Sequence, residues 1–280
     1  VLTKLEAYSS WEDAPTLALN DNGREETDLI QIRNITGLDP VKASVNTSPF
    51  GSVDGSAYIG SSVATRNIVL TLHPNPDWDQ WSFESLRRLL YRYFMPKLLT
   101  RLVFYSDDMS TVAIAGIVED ANIVQFSKDP EMQVSIICPD PYFTAVAPTV
   151  VTGQSVRDFS APASVEYNGD VVAGINVEVT RTADPAPTSI GIQVGDPTES
   201  YFNLTASVDA TKYFVMNSLD GNRFAQTVAF NTGVITNLLS KMQTGSSWPV
   251  LEPGTNDFAV ITDAGIQDWQ LTYYERYGGL

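Results

Sequence analysis

The sequence predicts a mainly β protein of two domains with one α-helix, and three observations lead there. Short runs rich in Val, Ile, Thr, Tyr and Phe recur along the chain, broken by turn residues at intervals of roughly ten, the spacing of antiparallel strands. Asn22-Gly23, Asp54-Gly55, Asn168-Gly169 and Asp220-Gly221 offer the positive-φ positions that tight hairpin turns use. A single segment, 82–94, has helical spacing instead. A length of 280 residues accommodates two domains.

Taken in order, the strand candidates of the first half are 17–19, 29–35, 41–45, 67–72, 99–105, 111–118, 122–126 and 132–138, each a β-branched or aromatic run bounded by turn residues. Between them, Phe83, Leu86, Leu89, Leu90, Tyr93 and Phe94 form one apolar stripe. Ser82 is placed to cap that helix, Glu84 falls in its first turn, Arg87, Arg88 and Arg92 lie off the stripe, and Pro96 ends it. Residues 139–156 contain Pro139, Pro141 and Pro148 and no clear alternation, which sets a domain boundary near Val146: 1–145 form one domain and 146–280 the other. Strand candidates then resume at 163–167, 174–180, 189–194, 201–206, 212–216, 227–230, 257–261 and 268–274, a count that suits a β-sandwich. Residues 235–242 read as a short helical or turn segment.

Composition excludes several kinds of chemistry. The formal charge is −16 and is shared evenly by the two halves, so neither is a basic module for nucleic acid. One cysteine, Cys138, cannot form an internal disulfide, and with a single histidine, His73, no four-ligand thiolate and imidazole zinc site can be built. No apolar run is long enough to span a membrane, and the first ten residues lack the plan of a signal peptide, so synthesis in a cytoplasm without membrane insertion is expected. No cofactor motif is present: Gly51, Gly55 and Gly60 do not have phosphate-loop spacing, and 20–23 begin like a cation loop without its closing Glu.

Catalysis finds little support. His73 is the only base for a nucleophile and reads as a strand-end residue. Cys138 closes an apolar run and reads as core. The acidic pairs Asp77/Asp79, Asp107/Asp108 and Glu119/Asp120 sit at expected turns, so a glycan hydrolase built on one of them is the weakest reading. Trp78, Trp81 and Phe83 could form a sugar platform but suit core or interface packing better. A carbohydrate-binding module using Trp248, Trp269 or Tyr273 to hold a cell-wall glycan is the alternative to the reading that follows.

The runs Gly37-Leu38-Asp39-Pro40-Val41, Pro49-Phe50-Gly51-Ser52-Val53-Asp54-Gly55 and Arg66-Asn67-Ile68-Val69-Leu70-Thr71-Leu72 resemble the distal tail proteins of long-tailed bacteriophages. So do Leu86-Arg87-Arg88-Leu89-Leu90-Tyr91 in the helix and Cys138-Pro139-Asp140-Pro141-Tyr142-Phe143. Near the C-terminus, Pro249-Val250-Leu251-Glu252-Pro253-Gly254-Thr255-Asn256 and Tyr273-Tyr274-Glu275-Arg276-Tyr277-Gly278-Gly279-Leu280 resemble the same family. The resemblance implies an N-terminal β-barrel or split barrel with one helix and a C-terminal galectin-like β-sandwich. It further implies a non-enzymatic, ring-forming virion protein, a homohexamer at the tail tip. The implied partners are the tail tube protein, the baseplate hub or tail-associated protein and the tape-measure protein, with DNA passing the channel without specific binding.

A cyclic ring needs two different complementary surfaces on each chain. The glycine-bearing hairpin at 45–64, with Phe50, Gly51, Val53, Asp54, Gly55 and Tyr58, is one candidate, an arm able to add to a neighbour's sheet edge. The basic face of Arg87, Arg88 and Arg92, extended by Lys97 and Arg101, is the other.

Overall fold

The computed structural model describes residues 2–10, 16–19, 29–51, 53–76, 81–123, 130–195 and 201–280. The chain divides into two compact units, Val1–Val146 with Tyr277–Leu280, and Ala147–Arg276. The second domain expected at 146–280 therefore differs at its end, since the last four residues belong with the first unit.

In the first unit the elements are β1 (Leu2–Ser9), β2 (Leu17–Leu19), β3 (Ile30–Thr36), β4 (Ala43–Pro49), β5 (Ser56–Val63), β6 (Arg66–Pro74), α1 (Phe83–Phe94), β7 (Leu99–Ser106), β8 (Val112–Ile123), β9 (Met132–Cys138) and β10 (Phe143–Ala145). One sheet runs β2-β1-β7-β8-β9-β6-β3 and closes almost into a barrel. Its inner face carries every second residue: Ile68, Leu70 and Leu72 from β6, Leu102 and Phe104 from β7, and Val134, Ile136 and Cys138 from β9 are all buried. Onto this face α1 lays Leu86, Leu90, Tyr93 and Phe94. Ser82 caps the helix by accepting from the Ser85 backbone N–H at 3.3 Å. The Tyr93 carbonyl, orphaned in the last turn, accepts the Thr100 hydroxyl at 2.7 Å, which ties the helix end to β7.

Two expected strands, 111–118 and 122–126, are a single strand, β8. Glu119 and Asp120 do not turn the chain there; they sit at a β-bulge between Val118 and Asp120, and the Asp120 carboxylate accepts from the Ala121 N–H at 2.8 Å. Residues 124–126 of that expectation, the Asn22-Gly23 turn, the 20–23 loop, Trp78 and the pair Asp77/Asp79 lie outside the described residues.

Arg66, the first residue of β6, is 1% exposed and has no carboxylate partner among the described residues. Its Nε donates to the Pro141 carbonyl at 2.6 Å, Nη1 to the carbonyls of Gly37 and Asp39, the latter at 2.8 Å, and Nη2 to that of Gly278. The guanidinium carbon lies 4.5 Å from the centre of the Phe143 ring. Burial pulls its pKa below the ordinary value, yet a guanidinium stays charged, and oriented carbonyl dipoles replace the water it has lost. Gly37 makes this approach possible: at φ +89° its missing Cβ would stand 2.0 Å from the Asn67 carbonyl oxygen. Leu280 completes the closure by donating its N–H to Leu38.

The second unit comprises β11 (Thr149–Gln154), β12 (Ala163–Tyr167), β13 (Ala173–Ala183), β14 (Ile190–Val194), β15 (Tyr201–Leu204), β16 (Lys212–Asn217), β17 (Phe224–Ala229), β18 (Ile235–Asn237), β19 (Val250–Leu251), β20 (Gly254–Thr262) and β21 (Ile266–Tyr273). One sheet runs β11-β21-β13-β16-β17-β18, with β19 on β13, and the other β12-β20-β14-β15. Between them lies one core that includes Val177, Val179, Ile192, Phe202, Phe214, Phe258 and Leu271, a β-sandwich. The proline-rich stretch in which no alternation was read holds β10, whose Phe143 is fully buried, and the sheet-edge strand β11. The segment at 235–242, read as helical or turn, is β18 followed by a single 3₁₀ turn, Leu239–Lys241. Asp220-Gly221 links the hairpin pair β16 and β17, whereas Asn168-Gly169 joins strands of different sheets. Gly169 is there because a side chain would collide with the Tyr167 ring.

Arg66→Met keeps the bulk and removes every donor. At about 1.5–3 kcal/mol for each hydrogen bond to a charged group, the first unit is expected to lose at least about 3 kcal/mol, with Arg66→Lys recovering little because an ammonium cannot span the fork. The urea midpoint for exposure of Cys138, the only thiol, measures this; an unchanged midpoint contradicts it.

Candidate functional site

The hairpin predicted at 45–64 is β4 and β5, which form a sheet of their own. The Phe50 N–H donates to the Gly55 carbonyl at 3.3 Å across the tip, and Gly55 takes φ +110°. Except for half-buried Gly60, the described residues of β4 and β5 are exposed. They include Val45, Tyr58 and Ile59, with Phe50 and Val53 exposed at the tip, Val53 to 74%.

Register shows what the arm presents. Val63 pairs with Ala43 and Ser61 with Val45, but a bulge between Asn46 and Thr47 then places Tyr58, not Ile59, opposite Thr47. Paired residues share a face, so Ala43, Val45, Tyr58 and Val63 lie on one side, and the Tyr58 hydroxyl meets the Ser61 hydroxyl there at 2.9 Å. The other side carries Ser44, Asn46, Ser48, Ala57, Gly60 and Ser62. The arm is amphipathic with no core beneath its apolar side, and a lone two-stranded hairpin is marginal in water. Arg66 anchors its root on both flanks: it follows β5 by three residues and binds the carbonyls of Gly37 and Asp39 just before β4.

The basic residues do not form one surface. Arg88 and Arg92 are exposed on α1, but Arg87 folds back on Glu84 at 3.6 Å, its Nε buried without a partner. Thr100 faces the helix, so Arg101, one residue on, points to the opposite side of the sheet. Strand alternation separates charges that stand close in sequence.

The aromatic glycan candidates are core. Trp269 is 5% exposed with its ring 4.8 Å from that of Phe258, Tyr273 is buried with its hydroxyl donating to the Glu166 carbonyl at 2.8 Å, and Trp248 packs on Phe202 at 5.1 Å. None offers an open ring face to a sugar. On the outer face of the same sheet, a cavity of about 500 Å³ is lined by Thr152, Gly153, Gln154, Glu178, Thr180, Asp268, Trp269 and Gln270, where Trp269 contributes only the little of its surface that is not buried, and Gln154 donates to Asp268 at 3.0 Å.

The remaining reactive residues are held in local structure. His73 lies on β6 with Nδ1 3.1 Å from the Pro130 carbonyl. Glu119 accepts the Ser135 hydroxyl, and the Asp108 N–H donates to the Ser106 hydroxyl at 3.3 Å. Among the described residues no three His, Cys, Asp or Glu side chains gather as metal ligands, and no helix is long and apolar enough to cross a membrane. Burial pushes the Cys138 thiol up to about 11 against the pull of Arg66.

No protein-family model and no curated protein matches the chain. Among solved structures, the crystal structure of the SPP1 Dit protein aligns over 97% of this chain and 98% of its own, at 15% identity and a TM-score of 0.66. This chain has the Dit fold. SPP1 Dit is described as a paradigm of the hub adsorption apparatus of phages that infect Gram-positive bacteria. A chain of the phage P2 baseplate, in its activated conformation with calcium, aligns over 99% of both chains at 8% identity and a TM-score of 0.52. The Dit fold accounts for both units together and in their order along the chain, since the alignment runs nearly end to end.

With its pKa raised and its side chain fully buried, Cys138 is expected to stay unmodified by a maleimide at pH 7 in the native protein and to react fully in urea. Mass spectrometry reads both states; rapid native labelling contradicts the buried placement.

Proposed function

We propose that this chain is a structural subunit of the tail tip of a siphovirus-type phage, a Dit-like protein that forms a ring. The end-to-end likeness to SPP1 Dit carries the reading, since it takes in both units. The ring is a homohexamer that joins the tail tube protein to the baseplate hub and surrounds the channel through which the tape-measure protein and then DNA pass. The protein is made in the host cytoplasm and resides in the virion. No catalytic role is assigned: the work is to hold a channel open and connect two assemblies. The charge of −16 on every copy disfavours adhesion of DNA phosphates to the ring.

The arm supports this reading. Among the described residues nothing covers its apolar side, and a repeating contact between copies would supply that cover. Light scattering coupled to size exclusion tests it. A mass of about six times 30.6 kDa, or a concentration-driven rise towards it, is expected. A mass of one chain at every concentration, both alone and mixed with tail tube and hub proteins, overturns the ring.

A further inference from the structure

The arm has an acceptor on the same unit, on the outer face of the barrel sheet. Leu99 pairs with Ile117, and Ile117 with Ile137, so three strands place three aliphatic side chains in one row. Their neighbours Thr100, Gly116, Val118, Ile136 and Cys138 face inward, which puts the row outside. Leu99 is 48% and Ile117 40% exposed, Ile137 is half-buried, and exposed Met95 precedes β7. An apolar row on the solvent side of a sheet calls for cover as much as the apolar side of the arm does.

We propose that the arm of one chain lies across this row on a second copy, its Val45, Tyr58 and Val63 side covering Leu99, Ile117 and Ile137. The proposal rests on the ring reading and names its contact.

Dimensions, charge and edges favour it. At about 3.4 Å per residue an eight-residue strand reaches about 27 Å, and a row across three strands spans about 10 Å, so the arm can cross it with length to spare. Within β4, β5 and their turn the only charged residue is Asp54, at the tip, and Arg101 stands two residues from Leu99 on the row's own face, so the charges are complementary. The sheet itself is nearly closed, so it offers little free edge for the strand addition expected from sequence, whereas its outer face is open. Because donor and acceptor are different surfaces of one chain, the contact is heterologous and repeats from copy to copy, as a ring demands.

Single cysteines with a short bismaleimide test the contact on the full chain, with buried Cys138 as a silent background. Tyr58→Cys is mixed with Ile117→Cys, each first shown to keep Cys138 unreactive and so its first unit folded. The mixture is expected to yield a linked species of twice 30.6 kDa that neither variant gives alone, and replacing Tyr58→Cys by Ser62→Cys, on the polar side of the arm, is expected to abolish it. Linking by Tyr58→Cys alone means that arms meet arms and overturns the proposal. An unlinked mixture whose particle mass shows assembly overturns this contact and leaves the ring standing. An unlinked mixture that stays at the mass of one chain, both alone and with tail tube and hub proteins added, overturns both.

Discussion

A buried guanidinium without a carboxylate holds the first unit together. Arg66 gathers carbonyls from the segment before the arm, from the Pro141 turn before β10 and from Gly278 near the C-terminus, and it stacks on Phe143. A planar fork with five donors can serve several acceptors at once, and the carbonyls it binds replace the water that the buried guanidinium has lost. The consequence reaches the surface. The arm leaves and re-enters the barrel at this node, so the residue that closes the core also sets the root from which the arm projects.

The two units use the same alternation for different ends. In the sandwich, inward residues of both sheets fill one core, and the large rings Trp269, Tyr273 and Phe258 are spent there. What remains outside on β11, β21 and β13 is mostly amide, hydroxyl and carboxylate, with Val150 and Ile266 the exposed aliphatics. In the barrel the outer face is less uniform, with Arg101 and Ala115 beside the aliphatic row of Leu99, Ile117 and Ile137. Burying such a row stabilises by roughly 25 cal/mol for each Å² withdrawn from water, a gain available only between copies when no element of the same chain covers it.

A single bulge shapes the arm. Without the extra residue opposite Asn46 and Thr47, Ala57 would share the side of Val45 and Val63, and Tyr58 would join the serines. The shift of one residue brings Tyr58 onto the side of Val45 and Val63, and a hairpin lacking a third strand has its stability tied to a partner. The exposed Ser44, Asn46, Ser48 and Ser62 on its opposite side keep the uncovered arm hydrated there.

Local physics was legible in the sequence. The stripe from Phe83 to Phe94, its Ser82 cap and the hairpins around Asp54-Gly55 and Asp220-Gly221 depend on side chains a few residues apart, and the structure shows each of them. β1 was not read, because two inward positions, Leu5 and Ala7 between Lys4, Glu6 and Tyr8, are too few to establish a strand period; Glu6 is held by the hydroxyls of its neighbour Tyr8 and of Tyr105, which only the folded sheet brings to it. β11 was not read because Thr149 to Thr152 repeat without alternation at a sheet edge. Of the candidate site, the arm was visible as a glycine-bearing hairpin, while its sidedness waited on the bulge and its acceptor row on the pairing of three strands. By itself the sequence determined strand periods, turns, the helix and its cap, since these are set by backbone sterics and neighbours in the chain. Tertiary structure alone decided that Arg66 is buried, that Trp269 is core, that Arg101 leaves the helix face and that the last residues return to the first unit. Those outcomes depend on contacts between residues as far as 212 positions apart, whose partners no local pattern specifies.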